Sequence, residues 1–378
     1  MLPEDLNGKD GAAIAQELFG QNPEAPSWWS LERLDDKTLE WKDKRLGISW
    51  KTKHGFLVAL REVSSLADAQ AFASKNKIYL LPNGGFYFKN TAEIYIHSTG
   101  IPAPEHVVTT DDLYSISTAT NLEATVGYSS QLFVRLVGTP LAEINKDAPE
   151  PYSVTTLVIS QVEKDQVGGA AELALYHLRK QFPGLSLSFW PFTELGNAPR
   201  LPEPEQDVSP TKFEDLPNTE RTEAIAFYNR ALESPPIPGF LYYYRVLESC
   251  FDDILGATVD VWRKNTSISN TELLQKIRTI QHKEDTWSLR QVLSKIVNQK
   301  DLDEAHHENI IDTATVDVLA REIYLRRNSI AHGRKGQHRK VLVPLGHSFN
   351  DESARERAWY QLLKTLAERA IERWIFSK

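Results

Sequence analysis

A chain of 378 residues with a 41% hydrophobic content has the length for two domains, or one large one, and the apolar fraction of ordinary cores. Its single cysteine, Cys250, excludes a disulfide framework and any thiolate zinc cluster made within one chain, and fits a reducing compartment. The formal net charge of -8 is unevenly spread, with 25 Lys+Arg against 24 Asp+Glu from Thr211 onward and 18 against 27 before it, so a global nucleic-acid coat is excluded and any phosphate contact must be local.

The start, MLPEDLNGKDG, is acidic and has no apolar core of a signal peptide. No apolar run approaches the ~20 residues of a membrane helix. The expectation is a soluble, cytoplasmic protein without a membrane partner. Residues 1–195 read mostly as strand. Short β-branched and aromatic runs recur as FLVALREV (56–63), IYLLP (78–82), GFYF (85–88), AEIYIH (92–97), LFVRLVG (132–138), VTTLVIS (154–160) and LSLSFWPF (185–192). PNGG at 82–85 is a turn signal that joins two of them as a hairpin. Helical patterning is best at 12–19, 66–75 and 170–182. This half is expected to be a β-rich α+β domain with a sensing or regulatory role.

GNAPRLPEPEQDVSP (196–210), with four prolines and few apolar residues, reads as an extended linker. From 211 to 378 the pattern is helical. Expected helices cover 218–234, 240–264, 270–281, 286–299, 313–333 and 352–376, the last with Trp359, Leu363, Leu366, Ala370 and Trp374 at three- and four-residue steps. Six helices with short connections suggest an up-and-down bundle. The fold class is therefore α+β in two domains, a β-rich one followed by an all-α bundle.

The chemistry concentrates in IYLRRNSIAHGRKGQHRK (323–340), where six residues are Lys or Arg, two are His, and no acid occurs before Asp351. Val316, Leu319, Ile323 and Ile330 form an apolar stripe that Arg327 extends with a permanent cation. Such a guanidinium wants an anion or a cluster of acceptors. Asn328 and His332 are four apart on a neighbouring face, and Gly333 is suited to end the helix. Arg326, Arg334, Lys335, Arg339 and Lys340 add charge that would attract a nucleic-acid strand. These parts suit metal-free RNA cleavage, in which the ribose 2′-OH is the nucleophile. A histidine moves protons near neutrality, an arginine stabilises the charged phosphorane, and an asparagine holds the His tautomer or a phosphate oxygen. The bland alternative is that Arg, His and Gly end the helix simply because its dipole and geometry favour them there. On the second helix, Tyr244, Glu248 and Phe251 share a face. Glu248 could pair with Arg327 or Arg326 and orient the site, or be an ordinary carboxylate at a stripe edge.

RNSIAH resembles the signature of the HEPN superfamily, an Arg followed by a polar residue and then His after a spacer of four to six. The wider YLRRNSIAHG is similar to the Apea-like and MauJ-like branches. The resemblance covers roughly residues 218–376. It implies a helical bundle that dimerises through its motif helices. It also implies a metal-independent endoribonuclease of a bacterial antiphage or toxin-like system, with RNA as substrate and Arg327, Asn328 and His332 in the site. A homodimer would supply a second His for a two-proton mechanism. The alternatives that the resemblance leaves are a non-catalytic scaffold or sensor, binding nucleic acid, a nucleotide or a protein partner, and a metabolic accessory protein. No metal or other cofactor is expected.

Other motifs carry less. DEAHHENI (303–310) has helicase letters, but the chain has no GxxxxGK[ST] loop; adjacent His306 and His307 read as a solvated turn rather than metal ligands. VGGAA (167–171) is too short for a dinucleotide fingerprint. Trp28, Trp29, Trp41, Trp50 and Trp190 read as packing residues, with PSWWS (26–30) the only pair worth testing as surface.

Overall fold

The computed structural model describes residues 29–33, 38–43, 48–53, 59–82, 84–99, 113–120, 122–140, 154–189, 212–264, 267–282, 285–332 and 352–376. The expected helix at 12–19, Trp28, Trp190 and the linker at 196–210 lie outside them. The chain divides into two compact units, Met1–Asn218 and Thr219–Lys378.

In the first unit, β1 (Trp29–Arg33), β2 (Thr38–Asp43) and β3 (Ile48–Lys53) form an antiparallel sheet whose register sets Trp41 opposite both Leu31 and Trp50. After α1 (Leu66–Asn76) come β4 (Tyr79–Leu81), β5 (Gly85–Phe88), β6 (Thr91–Tyr95), β7 (His97–Thr99), β8 (Tyr114–Thr118), β9 (Glu123–Tyr128), α2 (Gln131–Phe133), β10 (Thr155–Ser160), α3 (Val167–Gln181), β11 (Ser186–Ser188) and β12 (Lys212–Leu216). Seven of these strands make one sheet in the order β12-β8-β9-β10-β6-β5-β4; β7 and β11 pair separately. The PNGG hairpin joins β4 to β5 with Leu81 opposite Gly85. Gly84 takes a φ of 88°, in the left-handed region that glycine adopts without strain. A Cβ on Gly85 would lie 2.5 Å from the Glu93 carbonyl oxygen, so β6 can pair there only with glycine.

The core lies between this sheet and α3. Val167, Ala171, Ala174, Leu175 and Leu178 belong to one buried cluster with Ile116, Val126, Leu157 and Ile159. Each such aliphatic side chain contributes roughly 1.5–3 kcal/mol by leaving water. Three expectations change. Residues 59–61 of FLVALREV are helical and lead to the Ser65 capping box that starts α1. LFVRLVG is not a strand but α2 continued by a π-helical turn, Val134–Gly138. It is buried at nearly every position, so its apolar run carries no period to separate helix from strand. What selects helix is its start: the Ser130 hydroxyl accepts from Phe133 N–H, while Ser130 N–H and the Thr156 hydroxyl donate to the fully buried Glu93 carboxylate at 2.8 Å each. Third, β12, expected in the helical half, adds parallel to β8. Phe213 meets Phe182 edge-on at 5.3 Å, and the His177 ring lies 2.7 Å from the Pro217 carbonyl oxygen.

The second unit contains eight helices among the described residues: α4 (Thr222–Leu232), α5 (Pro236–Glu248), α6 (Phe251–Lys264), α7 (Asn270–His282), α8 (Asp285–Ile296), α9 (Gln299–His307), α10 (Val316–His332) and α11 (Glu352–Ala370), the last running into a π-helical turn, Ile371–Ile375. α5 is central, packing against α4, α8, α10 and α11 through Phe240, Tyr243, Tyr244 and Leu247, each at most 1% exposed. Opposite them lie Leu319 and Ile323 of α10, with Trp359, Leu363 and Leu366 of α11.

The expected long helix 240–264 is two. Its break at Ser249–Cys250 is held by the Ser249 hydroxyl, which donates to Val246 O at 2.7 Å, and by Arg221, which donates to Ser249 O and, at 3.2 Å, to Trp374 O. Asp252 and Asp253 then open α6 with the charge a helix start favours. DEAHH is the end of α9 rather than a turn, with Asn298 and Asp301 forming a capping box. Its His306 and His307 are exposed, and no group of three metal-ligating side chains occurs among the described residues. Arg369 ties α11 to the end of α8 by donating to Ile296 O at 3.0 Å, and to α9 by donating to Asp301 Oδ1 at 3.1 Å. No helix among the described residues is long and apolar enough to cross a membrane.

Candidate functional site

The site is built on α10, whose buried stripe is Leu319, Ala320, Glu322, Ile323 and Arg326. Arg327, four residues after Ile323, was expected to extend the apolar stripe; Arg326, three residues after it, does so instead. The partners opposite decide between them. Arg326 is only 8% exposed, ion-paired to Glu356 of α11, and lies 5.2 Å from the ring centre of Phe240 and 5.1 Å from that of Trp359. Burial pulls its pKa below the usual arginine value and Glu356 opposes that pull; the guanidinium remains a cation. Arg326 was expected among the RNA contacts. It is instead an interior residue that joins α10 to α5 and α11, held there by two aromatic rings and the Glu356 carboxylate.

Arg327 stands at the edge of the same stripe, with its side chain 18% exposed. Its Nη1 donates to Asn328 Oδ1 at 2.9 Å, and its Nη2 lies 3.9 Å from Glu248 Oε1 of α5. Beneath it is the buried ring of Tyr244, 5.5 Å from the guanidinium carbon. Tyr244 and Glu248 are one turn apart on α5, so a single helix face supplies both a π surface and a carboxylate to the same cation. Glu248 is also ion-paired to Arg245, three residues before it on α5, and so stands between two guanidinium groups. Arg245 is the nearer partner of Glu248, which reaches Arg327 at 3.9 Å.

The backbone of α10 is helical through position 332, which puts positions 328 and 332 one turn apart on a common face. Positions 327 and 332 are five residues apart, about 140° around the axis. The His332 side chain and the cations Arg334, Lys335, Arg339 and Lys340 lie outside the described residues. Comparison with protein-family models, with curated proteins and with solved structures finds no match. What this helix end can do must be read from its own chemistry. It offers one permanent cation on a π surface, an amide that bonds to that cation, and an adjoining histidine position.

Two participants were not legible beforehand as site residues. Tyr244 carried a signal, its four-residue spacing from Glu248. Glu356 carried none, because nothing in ESARERAW singles out its partner on another helix.

Proposed function

We propose that this protein is a metal-independent endoribonuclease of the HEPN type, working as a homodimer joined through α10, as the effector of a prokaryotic antiphage or toxin-like system with the first unit sensing or restraining it. The observation that carries the reading is Arg327. It is a half-buried guanidinium oriented by Asn328, Tyr244 and Glu248, at a helix end whose next face bears His332, while its neighbour Arg326 is committed to the interior.

In this reading His332 takes the proton of the ribose 2′-OH, whose oxygen attacks the adjacent phosphorus. Arg327 stabilises the extra negative charge of the pentacoordinate phosphorane. Asn328 keeps Arg327 in place. The 5′-oxygen leaves as a hydroxyl, protonated by a second acid, and the other fragment ends in a 2′,3′-cyclic phosphate. The separation of about 140° between positions 327 and 332 on one helix suits a composite site, in which a second copy across a two-fold axis supplies the second histidine.

Digestion of a defined RNA in EDTA with end mapping tests this. Cyclic-phosphate and 5′-OH ends are expected, with DNA left intact for want of the 2′-OH. His332→Ala should abolish cleavage and keep much of the RNA affinity, whereas Arg327→Ala should weaken both. Strict magnesium dependence with 5′-phosphate products would overturn the chemistry. The rival reading, a non-catalytic HEPN scaffold or sensor, is favoured by one observation: Asn328 and Glu248 already engage Arg327 within its own chain. Intact RNA after incubation with dimeric protein would select it.

A further inference from the structure

α4 and α5 pack side by side, and their outward faces bring together a pattern separate from the Arg327 cluster. Phe227 of α4 and Tyr242 of α5 stack with ring centres 6.5 Å apart and planes 24° from parallel, and both rings are partly exposed. Each is followed three residues later on its own helix by an arginine, Arg230 and Arg245, whose side chains are 57% and 53% exposed. Each arginine holds a glutamate three residues further on, Glu233 or Glu248, and those acids are the less exposed partners at 16% and 25%. The cations therefore project outward with the acids behind them. Glu223, four residues before Phe227, adds one exposed negative charge to this face. From Tyr242 to Glu248, the carboxylate that meets Arg327, is six residues, or about 9 Å along α5. The two positions are also about 120° apart around the axis, so a strand joining them follows the curve of the helix and spans more than this rise.

An aromatic pair flanked by two exposed guanidinium groups matches what a single strand of nucleic acid requires, a π surface for a base and cations for the phosphates on either side. We infer that the outward face of α4 and α5 is a subsite for single-stranded RNA. The Phe227–Tyr242 pair takes one base, Arg245 takes the phosphate nearer Arg327, and Arg230 takes the one beyond. This rests on the RNA-cleaving reading of Arg327 and adds to it a strand path and a position for a flanking nucleotide. Stacking of this kind tolerates any base, so the subsite contributes affinity with weak sequence preference.

The test uses full-length protein carrying His332→Ala, so that RNA is bound but not cut. Binding of a fluorescent 12-nucleotide single-stranded RNA is measured over a range of salt. Tyr242→Ala should weaken binding roughly tenfold, and Tyr242→Phe, which keeps the ring, should stay within about twofold. Arg245→Ala should weaken binding and lower the slope of log affinity against log salt by roughly 0.7, the single-strand value for one phosphate contact. Circular dichroism and dimer mass, unchanged in each variant, separate these effects from unfolding. If the His332→Ala parent binds RNA but Tyr242→Ala binds equally well, the subsite is wrong and the nuclease reading stands. If the parent and the wild type neither bind nor cleave RNA, the nuclease reading fails and the subsite with it. If Tyr242→Ala instead abolishes association with a protein partner while RNA binding is unchanged, the face is a protein contact and the inference is overturned.

Discussion

Replacing Arg326 by methionine tests the division of labour between the two neighbouring arginines. Methionine approximates the volume of the arginine stem, so the main loss is the charge that holds Glu356. That pair is 8% and 18% exposed, and breaking a buried pair by removing one partner typically costs about 3–5 kcal/mol. The contacts with Phe240 and Trp359 add to this. For a unit of this size roughly 2–4 °C is lost per kcal/mol, so at about 3 kcal/mol the second unit should melt roughly 6–12 °C lower. Arg327→Met removes the 3.9 Å ion pair with Glu248, the hydrogen bond to Asn328 and the contact with Tyr244; each is about 1 kcal/mol or less at this partly exposed position, so the melting point should fall less than for Arg326→Met. The double change Arg326→Met with Glu356→Leu should recover most of the single loss, because no charge is then left buried. Differential scanning calorimetry of the full chain, with each unit's transition assigned, measures all three. The reasoning fails if Arg326→Met is as mild as Arg327→Met, or if the double variant is no more stable than the single one.

His177 supplies a pH test in the first unit. Burial pushes its pKa from 6.5 down to about 4, so the folded state keeps the ring neutral. The unfolded chain binds a proton first as pH falls; stability should hold above about 6.5, decline between 6.5 and 4 by about 3 kcal/mol, and level off below. His177→Gln should flatten that decline relative to wild type in urea melts across this window, the shared carboxylate titrations cancelling in the difference. Gly85→Ala should destabilise the β5–β6 pairing by about 2 kcal/mol or more, read as a lower urea midpoint, since its Cβ would meet Glu93 O at 2.5 Å. Glu248→Gln should leave the fold intact and alter the RNA affinity of the His332→Ala protein less than Arg327→Ala does; a larger loss would mean that Glu248 contacts the substrate directly.

Local patterning was sufficient where a period, a cap or a turn residue marks the element. The helices α1, α3 and α10 and the strands around PNGG follow from period, caps and turn residues, each a property of a few adjacent positions. That positions 327, 328 and 332 lie near the end of one helix was legible for the same reason, since their spacing is set within α10. Where a segment is buried on all sides the pattern has no period. LFVRLVG became helical because Glu93, 37 residues before Ser130, anchors that cap. The break at Ser249–Cys250 depends on Arg221 reaching across from before α4, and β12 joins the first unit through pairing with β8, about a hundred residues earlier. The choice between Arg326 and Arg327 was beyond any local rule. Two adjacent guanidinium groups have the same chemistry, and what separates them is that Phe240, Trp359 and Glu356 close over one, while Tyr244 and Glu248 hold the other at the surface. Those partners come from α5 and α11, dozens of residues away in the chain, so only the packing of the bundle could assign Arg326 to the core and leave Arg327 at its edge.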